Sequence, residues 1–494
     1  MGNSIVEILF RNSENNPDKP AIIINERVIS YSQLKIGILK AVYIYKNLGI
    51  SATDKIILAA TNSASFVFGY FAAHLLRAIV IPVDPKISSI NFQSIIEQTS
   101  PTRIFFSYKI ISNSESIEDL DENVLISDEK LNISFQIESE DIADILFTTG
   151  TTGKPKGVVL THKNILSASM NINKYINNSF EDIEVVPLPL SHSFGLGRLR
   201  CNMLTGGTII LTENIVLVKK IFDIMKKFSA TGFCSVPAGI ELLLKIGGSK
   251  LNELASQLKY IEIGSAPMNI NTKLQLMKLL PKTKLCMHYG LTEASRSCFL
   301  EFHSDKEKLT SVGKPLPNVF VKILDDKKNI LPIGEVGNVY VSGPHVMKKY
   351  LNLNEKTKET ILDNWLNTGD IGKLDNDNYL YLLGRQNEVI NVGGLKVCPD
   401  EIEEYINELS FIYDCACVGI PDPALISGDI IKAFIVLKDH HEKYFSKFAI
   451  VNYLRQKIEQ YKIPLEYEFI DQIPRTPSGK IQRQLLTKNT DYKN

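Results

Sequence analysis

Apolar positions along this chain fall into two rhythms. Short, nearly continuous apolar runs, Lys55-Ile56-Ile57-Leu58-Ala59, Arg103-Ile104-Phe105-Phe106, Thr208-Ile209-Ile210-Leu211 and Tyr260-Ile261-Glu262-Ile263, have the length and β-branched content of buried strands. Helix-length amphipathic segments lie between such runs, among them Leu217 to Phe228 and Ala238 to Ile246. This alternation predicts α/β layers built on parallel sheets. The longest apolar stretch, Phe66 to Val83, contains His74, Arg77 and Pro82 and reads as a buried helix feeding a buried strand, not as a membrane span. From Gly313 to Val341 and from Asn378 to Leu383 the texture becomes β-rich and turn-rich.

A compact unit then begins, with Pro399 and acids in the first turn of a predicted helix. Strands at Tyr413 to Ile420 and Ile431 to Leu437 and a helix around Phe448 to Gln460 complete a small α+β domain. The polar run Arg385-Gln386-Asn387-Glu388 separates it from what precedes. The expected architecture is α/β: a large N-terminal domain (residues 1–385) of layered sheets with a small β-subdomain, a hinge (386–388) and a small mobile C-terminal domain (389–494).

The 494 residues, 44% of them hydrophobic, exceed what one core usually supports, so at least two domains are expected. Lys+Arg and Asp+Glu are both 55, and nothing in the charge pattern points to nucleic acid or an anionic membrane. The seven cysteines are odd in number and lack zinc-ligand spacing, as expected of free thiols in a reducing, cytoplasmic setting. Cys415 and Cys417 share one face of a predicted strand, where core packing is the expected role. The first residues lack the basic start and apolar core of a signal peptide, and Gly2 alone is weak evidence of myristoylation.

The densest chemical signal is Thr148-Thr149-Gly150-Thr151-Thr152-Gly153-Lys154-Pro155-Lys156-Gly157, flanked by the apolar runs Ile145-Leu146-Phe147 and Val158-Val159-Leu160. Three glycines, a run of hydroxyls and two lysines between two strands make a loop able to wrap phosphate oxygens. It is not a P-loop, because Gly153-Lys154 is followed by Pro155 and a strand instead of by a helix.

Six further motifs follow: Leu188-Pro189-Leu190-Ser191-His192-Ser193-Phe194-Gly195, Gly264-Ser265-Ala266-Pro267-Met268, His288-Tyr289-Gly290-Leu291-Thr292-Glu293, Asn367-Thr368-Gly369-Asp370 with Gly384-Arg385, Gly393-Gly394 with Pro399 and Glu401, and Pro474-Arg475-Thr476-Pro477-Ser478-Gly479-Lys480. In this order, over nearly the whole chain, the set resembles the AMP-forming adenylating superfamily of acyl-CoA synthetases, peptide-synthetase adenylation domains and firefly luciferase. The resemblance implies an active site between a large and a small domain, and binding of ATP, Mg2+ and a thiol acceptor.

It also implies residue roles. Thr148, Thr149, Gly150, Thr151, Thr152, Gly153, Lys154 and Lys156 would clamp the β- and γ-phosphates, with Thr149 where serine is usual. Thr292 and Glu293 would place the metal and the α-phosphate, Glu293 as its ligand. Gly264, Ser265 and Ala266 would pass under the adenine, Tyr289 would stack on it, and Gly290 would join them in binding the nucleotide. Asp370 would accept the ribose hydroxyls with Arg385 nearby. Lys480 would bridge the incoming carboxylate and the α-phosphate, stabilising charge that grows in the transition state. Asn387 occupies the hinge position, where aspartate or lysine is commoner, and Gly393 and Gly394 would line the approach of the thiol.

His192 stands where acyl- and aryl-CoA ligases carry a histidine beside the carboxylate. Peptide-synthetase domains have an aspartate after a phenylalanine here, and Ser193-Phe194-Gly195-Leu196 lacks it, which counts against an α-amino acid. Phe194, Gly195, Ile263, Gly264, Gly290, Leu291 and Ser295 are the expected pocket walls, apolar and small, suited to an acyl chain or an aryl acid. Arg198 and Arg200 are expected to be a solvent-facing pair; the sharper alternative has one of them meet a second carboxylate or a phosphopantetheine phosphate. The expected activity is ATP-dependent ligation of a carboxylic acid to coenzyme A through an acyl-adenylate. Loading of a carrier-protein phosphopantetheine is its rival, and a non-catalytic nucleotide-binding protein of the same fold is the alternative from another class. Nothing positive points to luciferase-like oxidation.

Overall fold

The computed structural model describes residues 2–107, 115–120, 136–149, 155–212, 218–386, 388–392, 395–421, 429–438, 443–476 and 479–488. Contacts divide the chain into two units, Met1–Phe320 with Val341–Leu366, and Val321–Tyr340 with Asn367–Asn494.

The first unit holds two large sheets. One has nine strands, and six of them, Lys284–Tyr289, Tyr260–Ile263, Gly232–Ser235, Ile183–Val186, Thr208–Leu211 and Pro20–Ile24, run parallel in that order. Antiparallel strands close both edges. The other has seven strands, among them Lys55–Ala59, which lies parallel to both Ile79–Val83 and Arg103–Phe106. Their side chains are nearly all buried, the signature of strands covered on both faces. The Phe66 to Val83 stretch folds as expected, into a helix Ala64–Leu75 buried throughout and the strand Ile79–Val83. Ser63 caps that helix by accepting from the Phe66 N–H.

The strands Ile142–Thr149 and Pro155–Thr161 pair antiparallel, with Thr148 opposite Lys156 and Thr149 opposite Pro155. Ile145 and Val159 are buried in a cluster with Ile57, Ile81, Val83 and Phe106, which fixes the hairpin to the sheet. At Gly157 a Cβ would come within 2.9 Å of Ile145 and 3.1 Å of Leu351, so only glycine lets these segments close up.

Residues 320–385 supply a five-stranded sheet in which Trp365–Leu374 pairs with Leu380–Arg385. The C-terminal part of the second unit is built on the strands Ile412–Pro421, Asp429–Leu437 and Glu466–Phe469. Period-two alternation divides its core. Cys415 and Cys417 face the helix residues Ile402, Ile406, Ile450 and Leu454, whereas Ala416 and Val418 face Ile473 and Leu486. The last long helix spans Lys443–Leu454, earlier than the expected Phe448 to Gln460, and a 3-10 turn occupies Gln460–Lys462. No helix among the described residues is long and apolar enough to cross a membrane.

Candidate functional site

The structure sets the two arms of the phosphate-type loop, Thr148 and Lys156, across from each other at the end of the hairpin. Gly150, Thr151, Thr152, Gly153 and Lys154 lie outside the described residues, as does the side chain of Thr149. The outgoing arm is edged by the short strand Lys349–Tyr350, which pairs with Val159 and Val158. From this strand the Tyr350 hydroxyl donates to Glu293 Oε1 at 2.8 Å, and the Met347 N–H donates to the Glu293 carbonyl at 2.8 Å. Two motifs far apart in sequence are thereby joined through one two-residue strand. Among the described residues no hydrogen bond or ion pair takes Glu293 Oε2.

Gly264 and Ser265 leave the C-terminal end of the strand Tyr260–Ile263, the usual place for ligand-binding loops in a parallel sheet. Ser265 holds φ of 77°, a left-handed conformation that a non-glycine residue rarely adopts. Tyr289 ends the neighbouring strand and is buried, and at Gly290 a Cβ would come within 2.3 Å of the Arg296 nitrogen. His192 occupies the cap position of the helix Ser193–Thr205 without a side-chain capping bond. His192 is solvent-exposed, yet surrounding protein lowers its pKa by desolvating the charged form, while Asp84 opposes the shift. A lowered value leaves the imidazole neutral at pH 7.

Of the expected pocket walls, Phe194, Gly264 and Ser295 lie against the side chains of His288 or Arg296. Phe194 meets the His288 ring edge-on at 4.6 Å, and the Arg296 guanidinium lies 4.8 Å above the Phe194 ring. Arg296 also donates to the Ser193 and Phe194 carbonyls at 3.1 and 3.0 Å and to Ser295 Oγ at 3.1 Å. Its Nε reaches Glu262 Oε1 at 3.2 Å, and His288 Nδ1 lies 2.7 Å from the same oxygen. Burial alone would raise the Glu262 pKa, but Arg296 and Arg198 hold it well below the usual carboxylate range. Burial lowers the His288 pKa, with Glu262 opposing, so the ring is neutral. Glu262 and His288 entered the sequence reading only as members of a strand and a motif, with no role of their own, and Arg296 did not enter it. Their signal was present: a glutamate in the buried run Tyr260–Ile263 and an arginine directly after Ser295.

Arg198 and Arg200 correct an expectation. Neither faces solvent, with 0% and 5% exposure. Arg198 pairs with Glu184 at 2.7 Å and Glu262 at 3.0 Å; Arg200 pairs with Asp144 and donates to the Tyr70 hydroxyl at 2.9 Å. Their charges are spent inside the fold, so the sharper alternative of a substrate carboxylate or phosphate also falls away.

In the second unit Asp370 and Arg385 sit opposite each other on paired strands, with Arg385 Nε 2.8 Å from Asp370 Oδ1. Thr368 shapes the turn: its hydroxyl accepts from the Asp370 N–H at 3.1 Å, and its carbonyl accepts from Arg385 at 3.1 Å. Gly369 takes φ of 72°, which glycine adopts without strain. Lys480 is exposed on a tight turn closed by the Arg475–Ile481 bridge and by Thr476 N–H to the Lys480 carbonyl at 2.8 Å. Arg475 anchors this turn through Asp414 at 2.7 Å and the Gly479 carbonyl at 2.8 Å. Asn387, Gly393 and Gly394 lie outside the described residues.

The same unit carries a second ionic cluster, absent from the sequence reading, in which Arg483 and Glu403 are largely buried while Glu388 and Asp400 reach solvent. Arg483 pairs with Glu388 at 2.9 Å and with Asp400 and Glu403. Burial raises the pKa of Asp400 and pushes Glu403 up to about 7, against the opposing pull of Arg483.

Similarity to known proteins agrees with this layout. A 4-coumarate–CoA ligase-like protein of Arabidopsis thaliana is 28% identical over 93% of this chain and 86% of its own. A fatty acid–acyl-carrier-protein ligase of Streptomyces coeruleorubidus is 27% identical over 98% and 96%. The fold matches o-succinylbenzoate coenzyme A synthetase of Bacillus subtilis, solved with ATP and magnesium, with a TM-score of 0.87 at 24% identity over 97% of this chain and 98% of that one. The AMP-binding enzyme model matches residues 9–351, and the AMP-binding enzyme C-terminal domain model matches residues 401–480. Spanning both units with its motifs in order, the chain belongs to the AMP-binding enzyme family.

Proposed function

We propose that this protein uses ATP to activate a carboxylic acid as its acyl-adenylate, releasing pyrophosphate, and then passes the acyl group to the thiol of coenzyme A. The observation that carries the reading is Glu293. Tyr350 holds one of its oxygens beside the Thr/Gly/Lys hairpin and leaves the other for a cation. Magnesium fits this donor set, because it keeps waters and phosphate oxygens and needs only one or two protein carboxylates. Glu293, with the Thr292 hydroxyl, would hold the ion, which when bound neutralises phosphate charge.

The chain's own residues supply the rest. The loop between Thr148 and Lys156 receives the departing phosphates, and Asp370, kept in place by Arg385, accepts the ribose hydroxyls. Gly264 to Ala266 and Tyr289 receive the adenine. His192, neutral, donates to the acid carboxylate without adding charge. Lys480 places a cation where the attacking carboxylate and the α-phosphate would repel each other. Asn387 provides the hinge between domains 1–385 and 389–494, and Gly393 and Gly394 admit the thiol arm. A cytoplasmic setting suits seven free, buried cysteines.

Lys480→Ala tests the reading. Pyrophosphate release should fall by ~10²–10³, the usual effect of removing one transition-state contact, while thioester formation from supplied acyl-adenylate persists. Unchanged rates in both half-reactions would refute the role. A carrier-protein acceptor is the second reading, favoured by the resemblance to the Streptomyces ligase. Competing coenzyme A against a phosphopantetheinylated carrier decides between them.

A further inference from the structure

The acid pocket is expected beside Gly264, and that space is already occupied. A Cβ at Gly264 would stand 2.1 Å from His288 Cε1 and 2.2 Å from Nε2, so the imidazole edge lies directly against this glycine. Phe194 packs on the ring, and Glu262 holds Nδ1 from behind. Behind the ring, Glu262 is pinned by Arg296 and Arg198, both buried. A long acyl chain directed along Gly264 would have to displace a ring tied into a buried ionic cluster, which core packing resists.

The same cluster fixes the chemistry of that surface. With Nδ1 turned to an ionised carboxylate, the proton of the neutral ring belongs on Nδ1, and Nε2 is left as an acceptor. Charge is already balanced: Arg198 and Arg296 are matched by Glu184 and Glu262, and Arg296 spends further donors on the Ser193 and Phe194 carbonyls. Among the described residues of this cluster, neither arginine is left over for a second substrate carboxylate.

We propose that His288, wedged between Glu262 and Phe194, is the floor of the acid pocket and selects a short, uncharged acid whose tail carries a hydrogen-bond donor. The inference rests on the adenylation reading and narrows its substrate. It departs from the expectation of an apolar pocket for an acyl chain or aryl acid, because the walls are small but the floor is polar.

The experiment compares butyrate, γ-hydroxybutyrate, succinate and octanoate by kcat/KM for pyrophosphate release, in the wild-type protein and in His288→Ala. Wild type should prefer γ-hydroxybutyrate over butyrate by about fivefold, the worth of one hydrogen bond. Succinate should fall ~10²-fold or more below butyrate, since its second carboxylate would be buried unpaired. Octanoate should also fall below butyrate. In His288→Ala the hydroxyl preference should vanish, and the octanoate-to-butyrate ratio should rise about fourfold for each methylene admitted. A purely structural histidine would lower all four acids together and leave these ratios alone, which would overturn the proposal. So would a wild-type preference for octanoate or succinate.

Should His288→Ala fail to fold, His288→Asn shortens the side chain and keeps a polar tip, and the same ratio shift must appear at smaller size. Calorimetric binding of butyryl- and octanoyl-sulfamoyl adenosine gives a second readout independent of turnover, with the octanoyl analogue weaker in wild type and recovering in the variant. Pyrophosphate release with none of the four acids in either protein, together with no binding of either analogue, would overturn the adenylation reading and this inference with it. Turnover without the ratios would overturn this inference alone.

Discussion

The two ionic clusters, one fully and one partly buried, differ in their charge count, and that difference decides how each should respond to pH. In the first unit Arg198 and Arg296 face Glu184 and Glu262, two cations for two acids, and Glu262 stays ionised far into acid. In the second, Arg483 is the one cation among the described residues paired with Glu388, Asp400 and Glu403, and burial wins over its pull, so Glu403 keeps a proton up to about pH 7. A balanced cluster acts as a fixed scaffold. An acid-rich one acts as a proton store.

Breaking the balanced cluster should have the largest effect. Arg198→Met leaves Glu184 and Glu262 buried with one fewer partner and should destabilise the protein by ~3–5 kcal/mol. Thermal unfolding and soluble yield measure this, and adding Glu184→Gln should recover part of the loss. Equal stability of Arg198→Met and wild type would show that the cluster does not need its cation.

The acid-rich cluster should show itself in the pH dependence. The folded state binds a proton on Glu403 that the unfolded chain, near the ordinary value of 4.5, releases. Its contribution to stability is therefore complete below about pH 4.5 and is lost as pH rises through 7. Denaturant titrations between pH 5 and pH 8, on the order of that window, should give a falling midpoint in wild type and a flatter profile in Glu403→Gln. A wild-type midpoint that rises over the same window would contradict this sign. The smallest effect is expected outside both clusters, at the half-exposed Arg475–Asp414 pair. Arg475→Ala should cost only ~0.2–1 kcal/mol by thermal melting, with its larger consequence for adenylate formation, because the turn bearing Lys480 loses its anchor.

The comparison also marks where sequence reasoning reached and where it stopped. Buried strands such as Lys55–Ala59, the division of Cys415 and Ala416 between opposite faces, and the hairpin around the Thr/Gly/Lys loop were legible because each depends on local periodicity. Asp370, Arg385 and Lys480 were legible as motifs. Arg198 and Arg200 were misread because a charged residue in an apolar helix reads as exposed unless its partner is known. Those partners, Glu184 and Asp144, lie 14 and 56 positions away on other elements. The Arg483 cluster, drawn from residues 80, 83 and 95 positions upstream, escaped for the same reason. Pairing of this kind is a property of the folded topology, and one sequence carries it only as a charge out of place.

The two-residue strand Lys349–Tyr350 makes the site sensitive to length as well as to chemistry. Successive side chains on a strand point to opposite faces, so inserting or deleting one residue between Met347 and Tyr350 would turn the tyrosine hydroxyl away from Glu293 while leaving every motif residue in the chain. Substitutions in this segment should be tolerated far better than a change of one in its residue count.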